Sequence, residues 1–184
     1  MRFGAPGFFV GNLSDVPERS MPPLDADERT ALEAWLDFYR ATLAMKCAGL
    51  DDVELSTTSI DPSPLTLHGL VQHMAEVERK WFRRVLAGEA VPSIYGAPDD
   101  TTGHDGGFAL SEHSTFAEAQ SIWQREVTAA RAACAGRDLD DTSPFPGGGQ
   151  VSVRWVYLHM ITEYARHCGH ADMIRERLDG TTGV

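Results

Sequence analysis

Between Trp155 and Arg175 the chain reads WVYLHMITEYARHCGHADMIR, a proline-free run whose apolar residues recur at helical spacing. At about 100° per residue, Val156, Met160, Glu163, His167, His170 and Ile174 fall on one stripe. The two ends of that stripe are apolar, and its middle carries a carboxylate and two imidazoles. An amphipathic helix turns its apolar stripe toward a core, and polar groups carried there cost free energy unless something satisfies them. Glu163 and His167 are four residues apart and therefore neighbours on one helix face. Two solutions fit this pattern. One is a hydrogen-bonded Glu–His pair inside a helical bundle. The other is a bound divalent metal, because imidazole and carboxylate suit zinc and similar ions.

Three further stretches carry the same periodicity. Asp25 or Asp27 can cap a first helix, expected over 27–48, with Leu32, Leu36, Tyr39 and Leu43 as its buried stripe and Gly49 as its stop. Thr66 can cap a second, expected over 67–87, whose apolar face is Leu70, Met74, Val77, Trp81 and Val85. A third is expected over 115–135, with Phe116, Ala119, Ile122, Trp123 and Val127, and the Trp155 stretch belongs to a fourth over 152–177, capped by Ser152. Residues 50–65 contain Pro62 and Pro64, which forbid a continuous helix. Residues 89–114 form a long connection, and one of this length inside a domain is usually functional, lining or covering a cavity. Residues 137–150 are turn-rich, and the Gly147-Gly148-Gly149 run lacks the GK[ST] ending of a phosphate-binding loop. Residues 1–24 read as an irregular arm, ordered only if Phe8-Phe9-Val10 docks on a surface. No stretch shows sustained two-residue alternation. These features predict an all-α chain, one domain over 1–184, organised as a four-helix bundle with a long connection between the second and third helices.

Charge and cysteine content exclude several functions. Against 27 acidic side chains the chain has 16 basic ones, a formal net charge of −11, which disfavours nucleic acid and anionic membrane as partners. No secretory leader is seen, and no apolar run reaches the ~18 residues of a membrane helix. Cys47, Cys134 and Cys168 form neither a CxxC motif nor a disulfide framework. A cytoplasmic protein is expected.

A metal site in a bundle takes ligands from facing helices. The last helix offers Glu163 and His167. The second must supply another, and His73 is its one histidine beside the apolar face, with His68 pointing nearly opposite. Two nitrogens and one carboxylate oxygen leave a position open, as in catalytic zinc sites. His104 and His113 read as solvated loop residues. His159 lies at the edge of the stripe, in a supporting or surface role. Cys168 sits about 100° from His167 around the helix and reads as a small buried apolar residue. Glu76, Glu78 and Arg79 read as a helix-surface ion-pair set.

The segments TLHGLVQHMAEVERKWF and HMITEYARHCGHADMIRERLDG resemble the DinB-like superfamily of metal-binding four-helix bundles, over roughly residues 28–178. Within it the chain resembles an actinobacterial group of DinB-related proteins. It also resembles the metal-binding domain of mycothiol-dependent maleylpyruvate isomerase. Many relatives carry His-x-x-x-His on the last helix. The first of those positions is Glu163 here, and the isomerase is similar in having a carboxylate there. The resemblance implies His73, Glu163 and His167 as metal ligands. Where relatives commonly have Gln, this chain has His170, read as a catalytic base, a supporting residue or a fourth ligand. The implied function is a divalent-metal-dependent enzyme, with zinc first and nickel as the alternative. It would be a thiol-dependent, mycothiol-type S-transferase or isomerase acting on a small-molecule substrate, and a homodimer. Metal-dependent hydrolysis at the same site and a non-enzymatic, metal-stabilised dimeric binding protein are the competing readings.

Overall fold

The protein was analysed as a computed structural model, which describes residues 19–95 and 106–183. Phe8-Phe9-Val10 and His104 lie outside the described residues. The chain is mostly helical. Helix α1 spans Glu28–Cys47, a one-turn α2 spans Asp52–Leu55, α3 spans Leu67–Glu78, α4 spans Phe116–Cys134 and α5 spans Val153–Asp179. Each long helix starts where a side-chain oxygen replaces the missing partner of a first-turn N–H. Asp27 accepts from the Thr30 amide, Thr66 from Gly69, Thr115 from Glu118 and Ser152 from Trp155. Helix α5 stops at Gly180, whose φ of 77° is the left-handed conformation that favours glycine.

The structure departs from the sequence expectation in three local respects. Residues 50–65 contain α2, closed by a reciprocal Asp51–Glu54 capping box. Beyond Glu78, α3 continues as a π-helical segment, Arg79–Leu86. Trp81, Phe82, Val85 and Leu86 are buried along it. The turn-rich segment closes into a small antiparallel hairpin, β1 (Thr142–Pro144) on β2 (Gln150–Ser152), with Ser143 opposite Val151. Three residues per strand are too few for alternation to show. The hairpin holds because Val151 and Ser143 are buried, the Ser143 hydroxyl donating to the Leu86 carbonyl.

Helix α1 packs mainly along α5, and α3 mainly along α4. The apolar side chains of all four long helices join one core that includes Leu36, Leu43, Leu70, Met74, Trp123, Met160 and Ile174. A polar network sits inside it. Arg40 of α1 donates twice to Glu78 at the end of α3, Nε to Oε1 and Nη2 to Oε2, each at 2.8 Å. The Tyr164 hydroxyl of α5 donates to Glu78 Oε1 at 2.7 Å, and Trp123 Nε1 of α4 donates to that hydroxyl at 2.7 Å. Glu78 is 0% exposed, so the expectation of a surface ion-pair set at Glu76, Glu78 and Arg79 is corrected. Arg79 instead pairs with the buried Glu126 of α4, as does Arg83. Cys47, Cys134 and Cys168 are free and buried. Among the described residues no helix is long and apolar enough to cross a membrane.

Arg40→Leu strands the Glu78 carboxylate in the core, so it should lower unfolding free energy by about 3–5 kcal/mol in urea melts. Combining it with Glu78→Leu should recover most of that loss, short of the acceptor the Tyr164 hydroxyl still lacks.

Candidate metal centre

His73 stands in the second turn of α3, Glu163 and His167 in the middle of α5. Among the described residues they are the one set of three His, Cys, Asp or Glu side chains whose ligand atoms come within 4.8 Å of one another. His167 Nε2 lies 3.5 Å from Glu163 Oε2, and the His73 and His167 rings have centroids 4.6 Å apart at 61°. Bonds of about 2.1 Å at tetrahedral angles place ligand atoms roughly 3.4 Å apart, so the His167–Glu163 spacing fits a shared ion. His167 is buried, while His73 and Glu163 are half-buried.

Each imidazole is held through its other nitrogen. His73 Nδ1 donates to the Gly106 carbonyl at 2.8 Å, which leaves Nε2 with its lone pair. His167 Nδ1 is 3.3 Å from His170 Nδ1, so His170 touches the ring nitrogen of His167 that does not face Glu163. Glu163 Oε1 has His159 Nε2 at 3.8 Å and Arg166 Nη1 at 3.9 Å. Burial lowers the pKa of both imidazoles. His73 falls below its ordinary value, and His167 falls to about 3, with His73 and His170 adding to the effect. Both rings are thus neutral, the state in which imidazole ligates.

The long connection is fastened to α3 beside this site. Glu76 Oε2 accepts from the Ile94 and Tyr95 amides at 2.6 and 3.2 Å, so Glu76 is a loop anchor rather than a surface charge. Gln72, with its amide nitrogen turned to the connection, donates to the carbonyls of Gly107 at 2.9 Å and Ala109 at 3.2 Å. Its oxygen then faces His68 Nε2, while the Ser56 hydroxyl lies 3.2 Å from His68 Nδ1. His68, expected opposite the apolar face, is 1% exposed and packs edge-on against Phe116; α4 covers that side of α3 as well. A Cβ on Gly69 would lie 2.6 Å from the Phe108 carbonyl oxygen, so the absence of a side chain lets the loop approach. The result is that Phe108 stacks on His73 at 4.0 Å and 16°. The connection also lines a cavity of about 480 Å³ with Gln72, Tyr95 and Arg125. The triad is not part of it. His113 is exposed, as expected, and borders that cavity.

Sequence reasoning singled out all three members of the cluster. It missed Gly106, Phe108, Gln72 and Gly69, which act on His73 from up to 35 positions away along the chain. The Gly106-Gly107 pair was the one available hint of close backbone approach. His159 sits at the edge of the site as read, and Cys168 is a buried thiol whose pKa is pushed up to about 12 by burial, consistent with a passive role.

A family model described as mycothiol-S-transferase matches residues 31–180 of the chain. No curated protein matches it.

Neutral, buried histidines make the metal-free protein sensitive to acid. The unfolded chain takes up a proton at His167 near 6.5, the folded one only near 3. Between those values the unfolded state binds more protons, so stability is fullest above about pH 6.5 and falls as pH drops toward 3. Urea midpoints of chelator-treated protein at pH 7.5 and 5.0 should show this decline, and His167→Gln should make it shallower.

Proposed function

The chain belongs to the mycothiol S-transferase family of the DinB-like superfamily, and we propose that it is a divalent-metal-dependent S-transferase. In this reading a low-molecular-weight thiol of the mycothiol type is the nucleophile and a small electrophile its acceptor. The observation that carries it is the convergence of His73, Glu163 and His167 from two helices of a mostly helical chain. Both imidazoles are neutral, and each is tied through its second nitrogen. Zinc is the first choice for this donor set, with nickel the alternative.

A divalent ion held there supplies the positive charge that favours thiolate, the nucleophilic form, over thiol. The protein's own residues do the rest. Two neutral imidazoles and one carboxylate carry a single negative charge, so a dication is only half compensated and an anionic sulfur is welcome. The Gly106 carbonyl fixes the His73 tautomer. Phe108 covers one face of the His73 ring and keeps water from it. Of the roles its sequence position allows, base, supporting residue or fourth ligand, we assign His170 the supporting one, holding the His167 ring.

Purified protein should retain about one equivalent of divalent metal by elemental analysis. His73→Ala and His167→Ala should lose it, and Glu163→Gln should weaken it by removing the anionic ligand. Chelation should abolish thiol transfer to an alkyl halide, and zinc should restore it. Undiminished transfer by rigorously metal-free protein defeats this reading, and ester cleavage without added thiol replaces it with hydrolysis.

For His170→Ala the expected result is a 10–100-fold loss of metal affinity, with an unchanged pH profile at saturating metal. Loss of one limb of that profile, with affinity intact, makes His170 the base instead.

A further inference from the structure

Trp81, Phe145, Trp155 and His159 form a second cluster, next to the triad and outside it. Trp155 and His159, one turn apart on α5, stack at 5.0 Å and 8°. Trp81 of the π segment and Phe145 of the hairpin loop stack at 6.0 Å and 8°. The two pairs meet at an angle. Trp81 is 5.1 Å from Trp155 at 49° and 4.4 Å from His159 at 57°. His159 Nε2 lies 3.8 Å from Glu163 Oε1, so the cluster begins beside the triad. Its outer rings are open, Trp155 being 47% and Phe145 38% exposed, whereas Trp123, a core indole, is 5% exposed. Lys80 Nζ lies 5.8 Å from the Trp81 ring centre.

Resting on the S-transfer reading, we propose that this aromatic corner binds the electron-poor ring of an aryl electrophile. Three observations favour that occupant. Indole faces are electron-rich and prefer offset contact with an electron-poor ring. The Lys80 ammonium beside Trp81 complements a nitro substituent, the group that activates an aryl halide. Through His159 the corner reaches the Glu163 carboxylate of the proposed nucleophile site. Two partly exposed rings offer far less area than the roughly 1,000 Å² a stable protein interface needs. With 1-chloro-2,4-dinitrobenzene the thiol sulfur forms a bond to the ring carbon bearing chlorine. The carbon–chlorine bond breaks with its electron pair leaving as chloride, and the thiol proton passes to solvent.

The test has two arms on the full chain. In the first, zinc-loaded protein with mycothiol is assayed on 1-chloro-2,4-dinitrobenzene and on iodoacetamide, and the ratio of the two kcat/KM values is recorded. In the second, unreactive 2,4-dinitroaniline is titrated by calorimetry into metal-loaded and metal-free protein. Trp155→Ala and Phe145→Ala should each lower the aryl-to-alkyl ratio and weaken dinitroaniline binding by about two- to tenfold. Trp155→Phe, which keeps a ring, should retain most of both, and Met173→Ala, exposed farther along α5, should alter neither. An unmoved ratio with unmoved binding overturns the proposal. A drop from dimer to monomer in Trp155→Ala with the ratio intact overturns it in favour of self-association. Dinitroaniline binding that depends on Trp155, in a protein that transfers no thiol, sinks the S-transfer reading and leaves the aryl site standing.

Discussion

The Glu78 carboxylate is the constraint on which the arrangement of the helices depends. It is fully enclosed, and an enclosed carboxylate is tolerable only when its oxygens are met by charge and by hydrogen bonds. Arg40 supplies the charge from α1, Tyr164 a hydroxyl from α5, and Trp123 of α4 fixes that hydroxyl in turn. One residue thereby fixes four helices. Apolar contacts tolerate sliding; this network does not, because displacement by one helical turn, about 5.4 Å, leaves buried groups unpaired. Tyr164 adjoins Glu163 in sequence, and Glu78 lies little more than a turn beyond His73. The network that sets the axial register of α3 against α5 therefore also aligns the two halves of the candidate metal centre.

A second set of contacts adapts α3 to the connection that follows the π segment. Glu76 receives the amides of Ile94 and Tyr95, Gln72 and His73 donate to carbonyls between Gly106 and Ala109, and Gly69 leaves room for the backbone of Phe108. Backbone groups brought against a helix need partners as much as side chains do, and α3 supplies them from polar residues in its own inner turns. The hydrogen bond that fastens the loop at Gly106 is the same one that sets the His73 tautomer. Loop order and the orientation of the His73 ring are thus one interaction rather than two.

Electrostatics at the triad follow from the same burial. Enclosure disfavours imidazolium, and the two neighbouring histidines disfavour it further, so His167 stays neutral over the whole physiological range. The one fixed negative charge is Glu163, toward which His159 and Arg166 also face. A site of this kind lacks positive charge at its centre, which is the chemical reason a dication suits it.

Local sequence determined the helical class, the four long helices, the caps at Thr66 and Ser152, and the polar stripe on α5, and it narrowed the first cap to Asp25 or Asp27. These are local matters: a 3.6-residue repeat and a side chain reaching back three residues are both written within one segment. The pairing of His73 with Glu163 and His167 was legible too, through the apolar face on which His73 borders and through family resemblance. What the sequence did not disclose lies in contacts between distant segments. Glu78, Glu76 and His68 look like surface residues on a helical projection, because a projection assumes one buried face, whereas α3 is enclosed by α1, α4, α5 and its own connection. No local pattern announces the π segment that begins at Arg79. Phe108 over His73 and the aromatic corner at Trp81 depend on bringing together residues 35 and 74 positions apart in the chain. Only the packed tertiary structure, where register is decided by buried charge and by backbone partners, could place them.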